Sequence, residues 1–130
     1  MRVQQPRIQP TGVIIKSDAE IDVMRQAGKV VAKTIDDVLA AVKPGMTTKE
    51  LDDIAYGTIT REGATPSFLG YRGFPASICT SLNEEVVHGI PGPRVLKDGD
   101  ILSIDCGAIV EGLHGDSAVT VAVGQASEEA

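Results

Sequence analysis

Residues 101–123 read ILSIDCGAIVEGLHGDSAVTVAV, and the expected architecture follows most directly from this segment. Two runs rich in β-branched and apolar residues, 101–110 and 113–123, flank the dipeptide Glu111-Gly112. A two-residue connection that contains glycine is typical of a tight turn between antiparallel strands. The segment therefore predicts a β-hairpin, and residues 77–82 are a further candidate strand.

The first half of the chain predicts helices. Ser17 followed by Glu20 forms a capping box, and Pro44-Gly45 ends the helix that this box begins. Apolar residues recur at helical spacing, which places them on one face. The residues expected on that face are Ile21, Met24, Val31, Ile35, Val38 and Val42.

A second capping box, Thr47 with Glu50, begins a shorter helix that ends near Gly63. Its apolar side is expected to carry Leu51, Ile54, Ala55 and Ile59. Two helices followed by several strands predict the α+β class, with two helices packed on one face of an antiparallel sheet.

Composition and charge restrict the function. The 130 residues are 42% hydrophobic and 23% charged, which suits one globular domain with a buried core. A net charge of −6, with no basic patch, argues against nucleic acid or an anionic membrane as a partner. No apolar run has the length of a membrane span. Residues 1–13 are predicted to be a flexible N-terminal arm, and residues 14–130 the folded part.

The two cysteines, Cys79 and Cys106, lack the paired spacing of a zinc knuckle and are too few for a disulfide framework. Reduced thiols and a cytoplasmic location are therefore expected. Cys106 is assigned to packing in its strand, because no base is placed beside it to support a nucleophilic role.

Two acids in the hairpin are candidates for chemistry. Asp105 and Asp116 lie about equally far from the turn on opposite strands. Cross-strand neighbours are roughly 4.5–5.5 Å apart at Cβ, so both carboxylates could face one point and share a divalent cation. The alternative is that one aspartate caps a turn while the other is solvated, and the pair alone favours that alternative.

Four segments add a family resemblance: GATPSFLGYRGFPASIC (63–79), NEEVVHGIP (83–91), DGDILSIDCG (98–107) and HGD (114–116). In this order they resemble the N-terminal half of type I methionine aminopeptidases, from about residue 14 to residue 124. The resemblance implies the pita-bread fold, two divalent metals (Co, Mn, Fe or Zn), and hydrolytic removal of the initiator methionine from nascent proteins.

The same resemblance implies roles for individual residues. Asp105 and Asp116 match metal ligands, the first bidentate and the second bridging. His88 matches a catalytic, substrate-facing histidine that hydrogen-bonds the scissile amide; without the family it would be a turn or surface residue. His114 is assigned to structure. The residues that match the pocket for the methionine side chain are Phe68, Tyr71, Phe74 and Cys79, for which ordinary core packing is the alternative.

The resemblance also indicates what the chain lacks. Family members continue for about as many residues again, and their second half supplies a ligating histidine and two ligating glutamates. The 130 residues alone are therefore expected to bind metal weakly and to be poorly active. Three alternatives stay open: a self-associating half-domain, a non-catalytic peptide-binding module, and a prolidase-like or X-Pro aminopeptidase.

Overall fold

The structure is a computed structural model that describes residues 7–8, 14–15, 17–83 and 89–124. Its strands are β1 (Arg7–Ile8), β2 (Ile14–Ile15), β3 (Thr65–Pro66), β4 (Ile78–Leu82), β5 (Ile101–Val110) and β6 (Leu113–Ala122). Its helices are α1 (Asp18–Ala41) and α2 (Thr48–Arg61), and a short 3-10 helix spans Tyr71–Gly73. The predicted α+β class, with two helices packed on an antiparallel sheet, is confirmed.

The main sheet is organised around β5. Strand β6 pairs with β5 along its whole length, and β3 and β4 also pair with β5, all antiparallel. Because β6 occupies one side of β5 completely, β3 and β4 share the other side end to end. The predicted turn is confirmed at Glu111 and Gly112, whose φ values of 48° and 79° are those of a two-residue hairpin turn.

Both capping boxes form as predicted. The Ser17 hydroxyl accepts from the Glu20 backbone N–H, and the Glu20 carboxylate accepts from the Ser17 N–H. Thr47 and Glu50 make the equivalent pair of bonds. These local bonds satisfy backbone donors that have no partner within the helix, which is why both helix starts could be located from the sequence.

The predicted face of α1 is partly wrong. Ile21 and Met24 are 38% and 37% exposed, whereas Val23, Ala27 and Val30 are buried. The helix carries two overlapping apolar stripes, which share Val31 and Val38. Packing against the sheet buries the stripe that contains Val23, Ala27 and Val30, and the prediction had named the other stripe. The predicted face of α2 is confirmed: Leu51, Ala55 and Ile59 are fully buried, and Ile54 packs against the core.

The core lies between the helices and one face of the sheet. Residues Leu102, Ile104, Cys106 and Ala108 alternate along β5 and are buried against the helical layer. The intervening positions of β5 therefore lie on the face opposite the layer formed by α1 and α2. Both candidate metal ligands lie on that face.

Of the predicted N-terminal arm, residues 1–13, the structure describes β1, which pairs antiparallel with β2 just after the arm, with Arg7 opposite Ile15. Among the described helices, none combines the length and apolar character needed to cross a membrane.

Candidate functional site

The register of the hairpin places Asp105 and Asp116 on the same face but not directly opposite each other. Asp105 is opposite Ala118, and Asp116 is opposite Gly107. The two acids are thus diagonal neighbours, and the backbones of two such residues are typically about 7–8 Å apart. The expectation of a directly facing pair is wrong, because the two-residue turn closed by Val110 and Leu113 sets Asp116 two positions nearer the turn than Ala118, the residue opposite Asp105.

Both aspartates line one open cleft, whose volume is about 330 Å³. Its other described lining residues are Phe68, Cys106, Ser117 and Ala118, so this lining contributes no lysine or arginine. Two carboxylates that line one cleft form a donor set that a divalent cation could use.

The described residues hold only part of a metal site. No group of three or more potential ligands (His, Cys, Asp or Glu) occurs within residues 17–83 and 89–124. A divalent ion bound by two carboxylates alone would complete its coordination shell with water. The donor set therefore fits oxygen-preferring divalent ions, and it needs further ligands to hold them tightly.

A second, apolar cavity of about 230 Å³ is lined by Phe68, Tyr71, Phe74 and Cys79. All four residues that the sequence assigned to one pocket are therefore brought together. The rings of Phe68 and Phe74 meet edge to face, with centroids 6.4 Å apart and an interplanar angle of 76°.

Glycine geometry shapes the loop that carries these aromatic residues. Gly70 and Gly73 have φ values of 82° and 79°, in the left-handed region that favours glycine. The Gly70 N–H donates to the Phe74 carbonyl at 2.8 Å, which closes the loop around the short 3-10 helix. The aromatic side chains are thereby presented from a tight turn beside the sheet.

The apolar cavity and the acidic cleft are adjacent. Phe68 lines both, and Cys79 is directly opposite Asp105 in the β4–β5 ladder. Burial, followed by the negative charges of Asp105 and Asp52, raises the pKa of the Cys79 thiol to about 11. Cys79 is therefore a neutral, polarizable wall residue at neutral pH, and it is not a nucleophile.

Three other sequence assignments have different outcomes. Cys106 is buried in the core, where burial raises the pKa of its thiol to about 12, in agreement with a packing role. His114 lies beside the site, with its Nδ1 3.2 Å from the Ser67 hydroxyl, and its structural assignment stays a prediction. His88 falls outside the described residues, so its catalytic role also stays a prediction.

Sequence reasoning missed Asp52, a buried carboxylate on α2 that accepts hydrogen bonds from the backbone of Ser77 and Ile78. A signal was present: Asp52 precedes Ala55 and Ile59 by three and seven residues, and so lies in line with the apolar stripe of α2. An acid in such a stripe requires a hydrogen-bond partner from another part of the chain.

The chain is similar to known proteins over most of its length. Residues 22–130 match the model of metallopeptidase family M24. The methionine aminopeptidase of Clostridium acetobutylicum is 59% identical over 119 residues, which are 91% of this chain and 48% of that protein. Methionine aminopeptidase 1 of Bacillus subtilis is 56% identical, with 90% of this chain and 47% of that protein covered.

The fold is similar to that of a solved relative. The crystal structure of methionine aminopeptidase from Rickettsia prowazekii has a TM-score of 0.82 and 40% identity, and the match covers 93% of this chain and 46% of that one. The chain thus spans about half the length of the curated relatives it matches. The pita-bread fold of the family is confirmed for this half.

Proposed function

The chain belongs to metallopeptidase family M24, and on that premise we propose that it is the N-terminal half of a methionine aminopeptidase catalytic domain. The observation that carries the proposal is the shared wall between the apolar cavity and the acidic cleft, at Phe68. An enzyme that removes a terminal apolar residue by metal-assisted hydrolysis requires these two features side by side.

The apolar cavity suits the side chain of an N-terminal methionine. Methionine is unbranched and carries a polarizable thioether, which packs favourably against aromatic edges and against a neutral thiol. Phe68, Tyr71, Phe74 and Cys79 provide those surfaces. A methionine side chain in this cavity would direct its own backbone, and hence the bond to be cleaved, toward the neighbouring acids.

Asp105 and Asp116 would hold the divalent metal that the family uses. When bound, the metal supplies the Lewis acid that activates water and polarises the scissile carbonyl. The carboxylates suit Mn, Fe, Co or Zn, with two ions in the complete site. We assign to His88 a hydrogen bond to the scissile amide.

Tight metal binding and turnover require ligands beyond Asp105 and Asp116, and we assign them to the C-terminal half present in relatives. The substrate is then the N-terminal methionine of nascent proteins, and the partner of the chain is that second half. Both cysteines are free and buried, which agrees with a reducing, cytoplasmic compartment.

Activity with and without the second half tests the proposal. The 130-residue chain would be assayed alone and fused to the C-terminal half of the Clostridium acetobutylicum relative, loaded with Mn²⁺ or Co²⁺. We expect the fusion to release methionine from a Met-Gly peptide and the chain alone to be poorly active. Preference for an X-Pro peptide would favour the prolidase-like alternative, and absence of turnover by the fusion would contradict the proposal.

Metal affinity provides a second test, with matched variants. Asp105→Asn and Asp116→Asn should each weaken divalent-ion binding by at least about tenfold, because each removes a charged ligand. Asp53→Asn, an exposed acid on α2 paired with Lys49, should leave the affinity unchanged. One equivalent of metal per dimer of the chain would instead support the self-associating alternative.

A further inference from the structure

The buried carboxylate of Asp52 accepts hydrogen bonds from the backbone where the loop that carries Phe68, Tyr71 and Phe74 joins β4. One of its oxygens accepts from the Ser77 N–H at 2.7 Å and from the Ile78 N–H at 3.0 Å, and the residue is only 6% exposed. Burial raises the pKa of Asp52, an effect that exceeds the lowering by the two backbone hydrogen bonds. The folded state therefore favours the protonated form of Asp52 more than the unfolded state does.

Asp52 accepts its hydrogen bonds at the edge of β4 that faces away from β5. Among the described strands, β4 pairs with β5 on one side, which leaves outward-facing N–H groups without a strand partner. The Ile78 N–H donates to Asp52, and the Thr80 N–H donates to the Gly89 carbonyl at 3.0 Å. Cys79 lies between these two anchored amides, so its position is fixed from both sides.

We propose that Asp52 is a positioning residue for recognition of the substrate side chain. By holding the amides of Ser77 and Ile78 it fixes the start of β4, and so keeps Cys79 in the wall of the apolar cavity, opposite Asp105. The identity of the occupant, a methionine side chain, rests on the proposed function. The anchoring of Cys79 is a property of this chain itself.

Loss of this anchor should affect binding more than the rate of the chemical step. Asp105 pairs with Cys79 in the β4–β5 ladder, but the β5–β6 ladder, which does not include Asp52, holds both Asp105 and Asp116. Cys79, in contrast, is on the strand that Asp52 anchors. In the fused enzyme, Asp52→Ala should raise KM for a Met-Gly peptide by about tenfold and change kcat by less than about threefold.

Two variants separate anchoring from charge and from general damage. Asp52→Asn keeps a carbonyl oxygen for the two amides, so it should stay within about threefold of the parent in both constants. Asp53→Ala, the adjacent exposed acid, should behave as the parent. A fall of kcat with unchanged KM in Asp52→Ala, or equal defects in the Ala and Asn variants, would overturn the proposal.

A measurement on the 130-residue chain alone does not depend on turnover. The rate at which a thiol reagent modifies Cys79, followed by peptide mapping, should rise at least about tenfold in Asp52→Ala and stay near the parent rate in Asp52→Asn. An unchanged rate in Asp52→Ala, or equal acceleration in both variants, would refute the anchor. If no fused enzyme turns over any peptide, the proposed function fails while this result still decides the role of Asp52.

The unmodified chain provides a third measurement in case Asp52→Ala does not fold. Hydrogen exchange should show the Ser77 and Ile78 amides to be protected to the same degree, within about tenfold, as the Thr80 amide. Exchange of Ser77 and Ile78 at the rate of unstructured peptides, with Thr80 protected, would overturn the proposal.

Discussion

Replacing Gly115 by alanine should destabilise the chain through one crowded contact between β6 and α1. A Cβ at position 115 would lie 2.8 Å from the Gly28 nitrogen, 2.9 Å from the Ala27 carbonyl carbon and 3.2 Å from the Ala27 Cβ. The two shortest contacts are to helix backbone, which cannot rotate away, so α1 and β6 must separate. Overpacking of this kind costs about 2–3 kcal/mol of unfolding free energy.

Urea unfolding and thermal melts measure this cost, and a domain of this size should lose roughly 6–15 °C in Tm. The matched control is Gly28→Ala, on the other side of the same contact. A Cβ at Gly28 meets nothing within 4 Å, and alanine is favoured over glycine inside a helix, so this variant should gain about 0.5–1 kcal/mol. Equal stability of Gly115→Ala and the parent, or a comparable loss in Gly28→Ala, would refute the reasoning.

Three further predictions concern the thiols, a buried acid and a helix cap. Because burial raises the pKa values of Cys79 and Cys106 to about 11 and about 12, a chromogenic disulfide at pH 8 should modify both thiols much more slowly in the folded chain than in urea. Equally rapid reaction of Cys79 before and after unfolding would be inconsistent with this. Because the pKa of Asp52 is raised in the folded state, that state binds the Asp52 proton more tightly than the unfolded state does. The unfolding free energy of the parent, relative to that of Asp52→Asn, should therefore fall as pH rises from below 3.8 through the raised folded pKa. Urea midpoints between pH 3 and pH 7 measure this change, and a difference that does not depend on pH would contradict the prediction. Ser17→Ala removes the acceptor for the Glu20 N–H and should cost about 1 kcal/mol in urea unfolding, whereas a loss below about 0.3 kcal/mol would show that the cap contributes little.

The elements that could be predicted from the sequence are those set by local bonds. The capping boxes at Ser17 and Thr47 located both helix starts, and Glu111-Gly112 located the turn. These signals depend on residues a few positions apart, so no tertiary information was needed. The pocket residues, in contrast, were grouped by the family resemblance and not by a local pattern.

The features that were missed depend on distant partners. Packing against the sheet determines which stripe of α1 is buried, so Val23 and Ala27 lie in the core and Ile21 and Met24 do not. Strand β3 consists of only two residues, one of them proline, and exists because it pairs with the far end of β5. Helical periodicity places Asp52 on the apolar side of α2, but it cannot identify the two partners of Asp52, which lie 25 and 26 positions away.

The diagonal arrangement of the acids explains why small residues surround them. Asp105 and Asp116 occupy one diagonal of a four-residue patch, and Ala118 and Gly107 occupy the other. A larger side chain at Ala118, which lines the acidic cleft, would take up space beside the two carboxylates, where we propose that a cation binds. Gly107 is constrained by a close contact, because a Cβ there would lie 3.0 Å from both the Cβ and the hydroxyl of Ser67, whose N–H donates to the Gly107 carbonyl at 3.0 Å. Since Ser67 immediately precedes Phe68, the close approach of Gly107 to Ser67 fixes the entry of the loop that forms the apolar cavity.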